Sequence, residues 1–179
     1  MTVNIILDVD TGVDDAFAIL YATRNPEITV LGITCVDGNT SLKNVCQNTL
    51  QVLDMAGASS IPVAAGANEP LMGTAGDLGD ASHVHGGDGL AGLSNSGSSR
   101  SLDSRHAIEL IRDLIEGSKD KVTLVPIGPL TNIALFISTF PETAKKLERI
   151  MLMGGSASGG NVTAAAEFNV WHDPEAAHI

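Results

Sequence analysis

The chain has 179 residues, with 21 acidic side chains against 10 basic ones and a formal net charge of −11 at pH 7. No basic patch that could neutralise phosphates is present, which argues against a nucleic-acid binder. Hydrophobic residues make up 44% and charged residues 17%, enough for one folded domain burying roughly 70% of its unfolded surface rather than a disordered chain. The longest apolar stretch, Ala16 to Ala22, is far short of the ~20 residues that cross a bilayer. The N-terminus lacks the basic flank of a signal peptide, so no membrane partner and a cytoplasmic location are expected. Cys35 and Cys46 sit in apolar-patterned segments without metal-ligand spacing and read as reduced core thiols.

In chain order, Val3 to Leu7 is a β-branched apolar run that predicts a buried strand. Asp14 to Tyr21 predicts a helix with acidic residues at its positive end, closed by Pro26. Ile28 to Val36 is the second strand and Asp37-Gly38-Asn39-Thr40 the turn after it. From Ser41, Leu42, Val45, Cys46, Thr49, Leu50 and Leu53 recur at helical spacing, with Gly57 as the stop. A short strand, Ile61 to Ala65, leads into a Gly- and Ser-rich stretch, Gly66 to Asp103, which reads as one long loop and by its length as a functional one. Helical spacing resumes from Ala107 to Gly117, without a role for His106. Val122 to Val125 is a strand, Gly128-Pro129 a turn, Asn132 to Phe140 a helix, and Pro141 opens a basic helix running to Arg149. Ile150 to Met153 is the last strand, followed by a glycine-rich loop from Gly154 to Trp171.

This alternation predicts an α/β fold: a mostly parallel open sheet with helices on both faces. Ligands in such sheets bind at the carboxyl ends of the strands. The polar motifs fall there: Asp8-Val9-Asp10, Asp37-Gly38-Asn39, Pro126-Ile127-Gly128 and the loop from Gly154 to Asn169. No internal repeat or linker divides the chain.

Asp8, Asp10, Asp14 and Asp15 crowd one strand-to-helix junction, and no Lys or Arg precedes Arg24. Four like charges repel unless neutralised, and a hard cation, Ca²⁺ or Mg²⁺, is the economical solution; zinc would ask for clustered Cys and His. The plainer alternative makes Asp14 and Asp15 helix caps and leaves Asp8 and Asp10 solvated. A metal on such carboxylates can lower the pKa of water while an adjacent Asp accepts its proton, which makes hydrolysis the expected reaction class. The D-x-D-T pattern also fits a haloacid-dehalogenase-like phosphatase, with Asp8 as nucleophile, Asp10 as acid, and Asp77 and Asp80 as a loose downstream acidic motif. Gly154 to Gly160 matches neither a P-loop nor the dinucleotide fingerprint.

Taken together, Asp8-Val9-Asp10-Thr11-Gly12-Val13-Asp14-Asp15-Ala16, Gly38-Asn39, Val84-His85-Gly86, Ile127-Gly128-Pro129-Leu130-Thr131-Asn132, Met153-Gly154-Gly155, Gly160-Asn161-Val162-Thr163, Ala166-Glu167-Phe168-Asn169 and Asp173-Pro174-Glu175-Ala176-Ala177 closely resemble the nucleoside hydrolases, in order and over the whole chain. The resemblance implies a calcium-dependent N-ribohydrolase that splits a ribonucleoside into ribose and free base. By the same resemblance Asp10 is the general base and a Ca²⁺ ligand, activating a Ca²⁺-bound water. Asp15 is the main carboxylate ligand, and Ile127 offers its backbone carbonyl where the family often has threonine. Asp14, Asn161, Glu167 and Asn169 hold the ribose hydroxyls, with Asn39 near the same site, Met153 against the sugar and His85 beside the base pocket.

The family's chains continue past residue 179 and supply from there a further Ca²⁺-ligating aspartate and a residue that assists the leaving base. Asp173-Pro174-Glu175 is a good helix start placed close to the last residue. The expectation is therefore one incomplete nucleoside hydrolase domain over 1–179, and an inactive or merely Ca²⁺- or ribose-binding fragment is the other expectation. The family also implies a dimer or tetramer. Taken singly, several residues have ordinary explanations: Asn39 as a turn residue, His85 as solvated surface, Met153 and Trp171 as core. Glu167 and Asn169 flank Phe168 and, in an extended segment, share one face as a diol clamp.

Overall fold

The computed structural model describes residues 2–73, 81–94 and 98–179. Its elements are β1 (Val3–Val9), α1 (Val13–Arg24), β2 (Ile28–Cys35), α2 (Leu42–Ala56), β3 (Val63–Ala65), α3 (Ser82–His85), α4 (Ala107–Gly117), β4 (Val122–Pro126), α5 (Thr131–Thr139), α6 (Pro141–Ala144), β5 (Arg149–Ile150), α7 (Phe168–His172) and α8 (Pro174–His178). The strands form one five-stranded sheet in the order β3-β2-β1-β4-β5, and every pairing is parallel. The chain builds outward from β1 to β3 and then returns to the other side of β1 with β4. The topological switch therefore lies between β1 and β4, where an open α/β sheet leaves a crevice.

Strand periodicity divides the core. Ile5, Leu7 and Val9 point to the face covered by α1 and α2, where they pack with Ile19, Val45, Leu50 and Leu53. Ile6 points to the other face and joins Ile111 and Ile115 of α4, Ile133 and Phe136 of α5, and Ala176 of α8. Helices thus cover both faces, as the alternating pattern predicts. The helix ends follow capping chemistry: Ser41 accepts the Asn44 N–H, and Gly57 closes α2 at φ 68°. His106 is the N-cap of α4, its imidazole accepting the Ile108 N–H while Glu109 accepts the His106 N–H.

Four expectations are corrected. The basic helix from Pro141 ends at Ala144 instead of Arg149, and the chain turns back so that the Glu148 N–H reaches the Val122 carbonyl. The last strand is regular only over Arg149–Ile150, although Met151 and Met153 still donate to Leu124 and Pro126 along the same edge. The stretch Gly66 to Asp103 holds the short helix α3. Glu167 to Asn169 is not extended: Phe168–His172 forms a helical turn with Glu167 as its N-cap. No helix among the described residues is long and apolar enough to cross a membrane.

Candidate functional site

The switch point opens into a cavity of about 490 Å³. It is lined by Asp10, Asp14, Asn39, His85, Ile127, Met153, Asn161, Glu167 and Asn169, with Ala81, Val84, Val162, Phe168 and Trp171 completing the wall. These residues come from six separate stretches of chain, brought together because each follows a strand or begins a helix at one end of the sheet.

Asp10 leaves β1 at the floor and is 1% exposed. Its Oδ2 accepts the Asn39 N–H at 2.9 Å. Glycines on either side make room for it: a Cβ at Gly38 would overlap its carboxylate, and one at Gly128 would lie 2.9 Å from Oδ1. Asp15, buried in the first turn of α1, accepts the Gly12 N–H at 2.9 Å and the Asn39 side-chain N–H at 3.3 Å, both on Oδ2. Its Oδ1 is buried without a hydrogen-bond partner among the described residues. Burial, and then the Asp15 carboxylate, raise the Asp10 pKa well above the usual range. Burial first, with a further contribution from Asp14, raises Asp15 to about 7.

The four-carboxylate cluster expected from the sequence is reduced to this pair. Asp8 does not line the cavity: its Oδ1 accepts from Thr34 at 2.5 Å and from the Asn132 amide at 2.8 Å. Burial raises its pKa to about 7. Asp14 stands on the rim with its side chain 77% exposed. Among the described residues no group of three or more His, Cys, Asp or Glu is placed to hold a metal. The donors that do fit a hard cation are the oxygens of Asp10 and Asp15 and the carbonyl of Ile127, with the orphaned Asp15 Oδ1 as the sign that a positive partner suits the place. A phosphatase with Asp8 as nucleophile gains no support from this arrangement, since Asp8 is fully buried and does not line the cavity. Asp77 and Asp80 lie outside the described residues.

Across the cavity, Glu167 is a cap before it is anything else. Its Oε1 accepts the Asn169 N–H at 3.0 Å, and its Oε2 accepts the Gly155 and Val170 N–H groups at 3.0 and 3.2 Å. Asn169, 5% exposed, donates its amide to the Ile127 carbonyl at 2.9 Å and to the Met153 carbonyl at 3.0 Å. It thereby ties the end of β4 to the β5 edge. A carbonyl oxygen has a second lone pair, so the Ile127 oxygen can accept from Asn169 and still face a cation. Asn161 Oδ1 accepts the Phe168 N–H at 2.8 Å. On the α1 side, His85 Nδ1 lies 3.2 Å from the Val13 N–H and 3.8 Å from Asp14 Oδ1. The loop behind His85 is fastened by Asn48 of α2, whose amide donates to Thr11 and Asp88 carbonyls.

Sequence reasoning missed the aromatic wall. Trp171, read as core, lines the cavity with Phe168 at a centroid distance of 6.2 Å; their i, i+3 spacing would signal one face only once the segment is known to be helical. The backbone N–H of Val13 was equally invisible, since nothing in its side chain marks it.

Comparison with known proteins agrees with this geometry. The family model for inosine-uridine preferring nucleoside hydrolase matches residues 5–179. The chain is 48% identical over 178 residues to the inosine-uridine preferring nucleoside hydrolase of Leishmania major, covering 98% of this chain and 56% of that one. It is 46% identical over 179 residues to the pyrimidine-specific ribonucleoside hydrolase RihA of Shewanella oneidensis, covering 100% and 55%. Among solved structures, the purine-preferring ribonucleoside hydrolase from Gardnerella vaginalis superposes with a TM-score of 0.90 at 33% identity, over 97% of this chain and 56% of that chain. The chain thus spans little more than half the length of the relatives it matches. It belongs to the inosine-uridine preferring nucleoside hydrolase family.

Proposed function

We propose that the cavity takes a ribonucleoside and that the protein hydrolyses its N-glycosidic bond to ribose and free base with Ca²⁺ as cofactor. The observation that carries this reading is Asp10 on the floor of the cavity, linked through Asn39 to the buried Asp15 behind it, with Asn161, Glu167 and Asn169 also lining the cavity. Asp10, Asp15 and the Ile127 carbonyl would hold the ion. Bound there, Ca²⁺ would supply positive charge that lowers the pKa of water and gathers vicinal hydroxyls.

The residues of the chain have separable tasks. Asp10, anchored through Oδ2 by Asn39, has Oδ1 for taking a proton from water, and burial gives it the raised proton affinity that a general base needs near neutral pH. Asn39 positions both acidic residues at once through its backbone and side chain. Asp14, Asn161, Glu167 and Asn169 present oxygen atoms and N–H groups to the ribose side. Cleavage of the bond leaves positive charge on the sugar, and carboxylate and amide oxygens fixed beforehand stabilise that charge without reorganising. Met153 lines the cavity beside Asn169, and His85 with the aromatic wall is available to the base.

The test is release of reducing sugar from inosine and uridine by the purified chain with Ca²⁺ or with a chelator, alongside calorimetric Ca²⁺ titration. Ca²⁺-dependent release that Asp10→Ala abolishes supports the reading, and full activity in Asp10→Ala overturns the assignment of the base. Calcium and ribose binding without turnover would reduce the role of these 179 residues to binding.

A further inference from the structure

Outside the cavity lining, His172 Nε2 lies 3.5 Å from Asp37 Oδ2. We infer that these two are positioning residues: their contact straps the end of α7 to the turn after β2, and so fixes where the aromatic wall of Phe168 and Trp171 stands relative to Asn39. That this placement serves a nucleoside rests on the hydrolase reading; the strap itself does not. Neither residue is among those that carry the family resemblance.

Four observations support it. First, α7 cannot hold its own place. It has five residues, whereas an isolated helix shorter than roughly 12–15 residues is marginal, so its side-chain anchors decide where it sits. Glu167 fastens its start to Gly155, and Asn169 fastens it to the Ile127 and Met153 carbonyls. Those ties run to the segments after β4 and β5, and His172 adds one to the segment after β2. Second, the Asp37 end is already rigid. The Val36 N–H donates to the Val9 carbonyl, the Asp37 N–H to the Ala67 carbonyl and the Asn39 N–H to Asp10 Oδ2. A carboxylate carried among fixed amides is a post, so α7 is the partner that the contact places.

Third, the imidazole belongs to the packing of the wall. Its ring lies 5.5 Å from that of Phe168, at the i, i+4 spacing of one helical face, and Phe168 lies 6.2 Å from Trp171. Phe168 and Trp171 line the cavity, as Asn39 does. Fourth, His172 Nε2 is buried without a hydrogen-bond partner among the described residues. Asp37 Oδ2 stands just beyond the usual length of about 2.7–3.2 Å. An ionised carboxylate only accepts, so the nitrogen that faces it carries a proton.

The strap therefore acts one residue from Trp171 on one side and two from Asn39 on the other, while Asp10 keeps its own anchor. Breaking it should weaken ligand binding and leave the reacting groups in place. Trp171 is the chain's one tryptophan, so its fluorescence reports the wall directly.

The experiment is a double-mutant cycle in the full 179-residue chain with Asp37→Ala, His172→Phe, which keeps a ring against Phe168, and both together. The readouts are acrylamide quenching of Trp171 without ligand, calorimetric inosine affinity with Ca²⁺, and urea stability. Each single variant should raise the quenching and weaken inosine binding about fivefold, and the double variant should lose no more than either single, since residues in contact are not additive. In turnover, KM should carry the change and kcat should not. Long-range ¹H–¹⁵N NMR of the unsubstituted, histidine-labelled chain should show a proton on His172 Nε2, with His172→Phe used to assign the signal.

A bare His172 Nε2 in the unsubstituted chain overturns the strap, a measurement that needs no variant to fold. Additive losses in the double variant overturn it, as does unchanged Trp171 quenching in the single variants. If stability falls while inosine affinity stays, the contact only stabilises, and the positioning role is refuted with the hydrolase reading intact. If the unsubstituted chain binds no inosine, the hydrolase reading fails and takes the ligand half of the inference with it, while Trp171 quenching and the Nε2 signal still decide the strap.

Discussion

Asn132, at the second position of α5, donates its side-chain amide to Asp8 Oδ1 at 2.8 Å and to the Cys35 carbonyl at 3.0 Å, while its own Oδ1 accepts the Ala67 N–H at 2.9 Å. One fully buried side chain thus joins the ends of β1 and β2, the segment after β3 and the helix after β4. Asp10 lies two residues beyond Asp8 on the same strand end, so the knot fixes where the floor of the cavity stands. Asn132→Ala leaves several buried polar groups unpaired and should destabilise the chain by about 2–4 kcal/mol. Urea denaturation checks this; a loss under about 0.5 kcal/mol would mean that water replaces the amide.

The buried carboxyls make stability depend on pH in an unusual direction. Asp8 and Asp15 are raised to about 7, and Asp10 is raised well above its ordinary value, chiefly by burial. A carboxyl that holds its proton more tightly when folded favours the folded state below its unfolded pKa and loses that advantage as pH rises through the folded value. With a chelator present, the chain should therefore be more stable at pH 5 than at pH 8, by an amount on the order of a few kcal/mol. Asp8→Asn should remove part of the slope, and Ca²⁺ should stabilise the pH 8 form by neutralising Asp10 and Asp15. Thermal melts at the two pH values, with and without Ca²⁺, test all three statements. Equal stability at pH 5 and 8 without cation would contradict them.

Gly38 is a steric requirement of the Asp10 carboxylate, because a Cβ there would overlap it. Gly38→Ala should push the carboxylate off its Asn39 anchor and weaken Ca²⁺ binding about 10–100-fold, the usual effect of disturbing a ligand's support. The readout is the calorimetric Ca²⁺ affinity. Unchanged affinity would show that Asp10 is not a ligand or that the loop yields freely.

Glu167 has two tasks that substitution can separate. Three backbone N–H groups converge on its carboxylate. A glutamine turns one acceptor oxygen into a donor facing an N–H, so Glu167→Gln should cost about 1–2 kcal/mol in stability. If Glu167 also faces the ribose, inosine binding by the folded variant should fall at least tenfold. Lost stability with unchanged binding would leave Glu167 a cap alone.

Much of this protein is legible in its sequence because the relevant physics is local. The β-branched apolar run Val3–Leu7 and the helical spacing in α2 and α4 assign the elements, and strand-helix alternation assigns the parallel sheet with its ligand end at Asp10, Asp37 and Ile127. The Asp173 cap of α8 is equally readable: its carboxylate accepts the Ala176 N–H at 2.9 Å, as the Asp-Pro pair implies. Its second oxygen also accepts from Thr131 at 2.6 Å and from the Leu71 N–H at 2.9 Å, contacts that no local pattern encodes.

What only the tertiary structure decided is which like groups share a place. Asp8, Asp10, Asp14 and Asp15 are one acidic run on paper. Thr34 and Asn132 hold Asp8 inside the sheet end, away from the cavity lining, while helix geometry buries Asp15 and leaves Asp14 on the rim. The net charge of −11 thus resolves into a local pair of buried carboxyls and charges placed elsewhere. The helical turn at Phe168 converts the expected clamp on one face of an extended segment into a capped wall, because a glutamate that satisfies three N–H groups supports a turn that hydrophobic periodicity over so few residues cannot announce. The Val13 amide beside His85 lies further still from anything a sequence displays: a backbone group common to nearly every residue meets that imidazole only because a stretch 72 positions further along the chain folds back upon it.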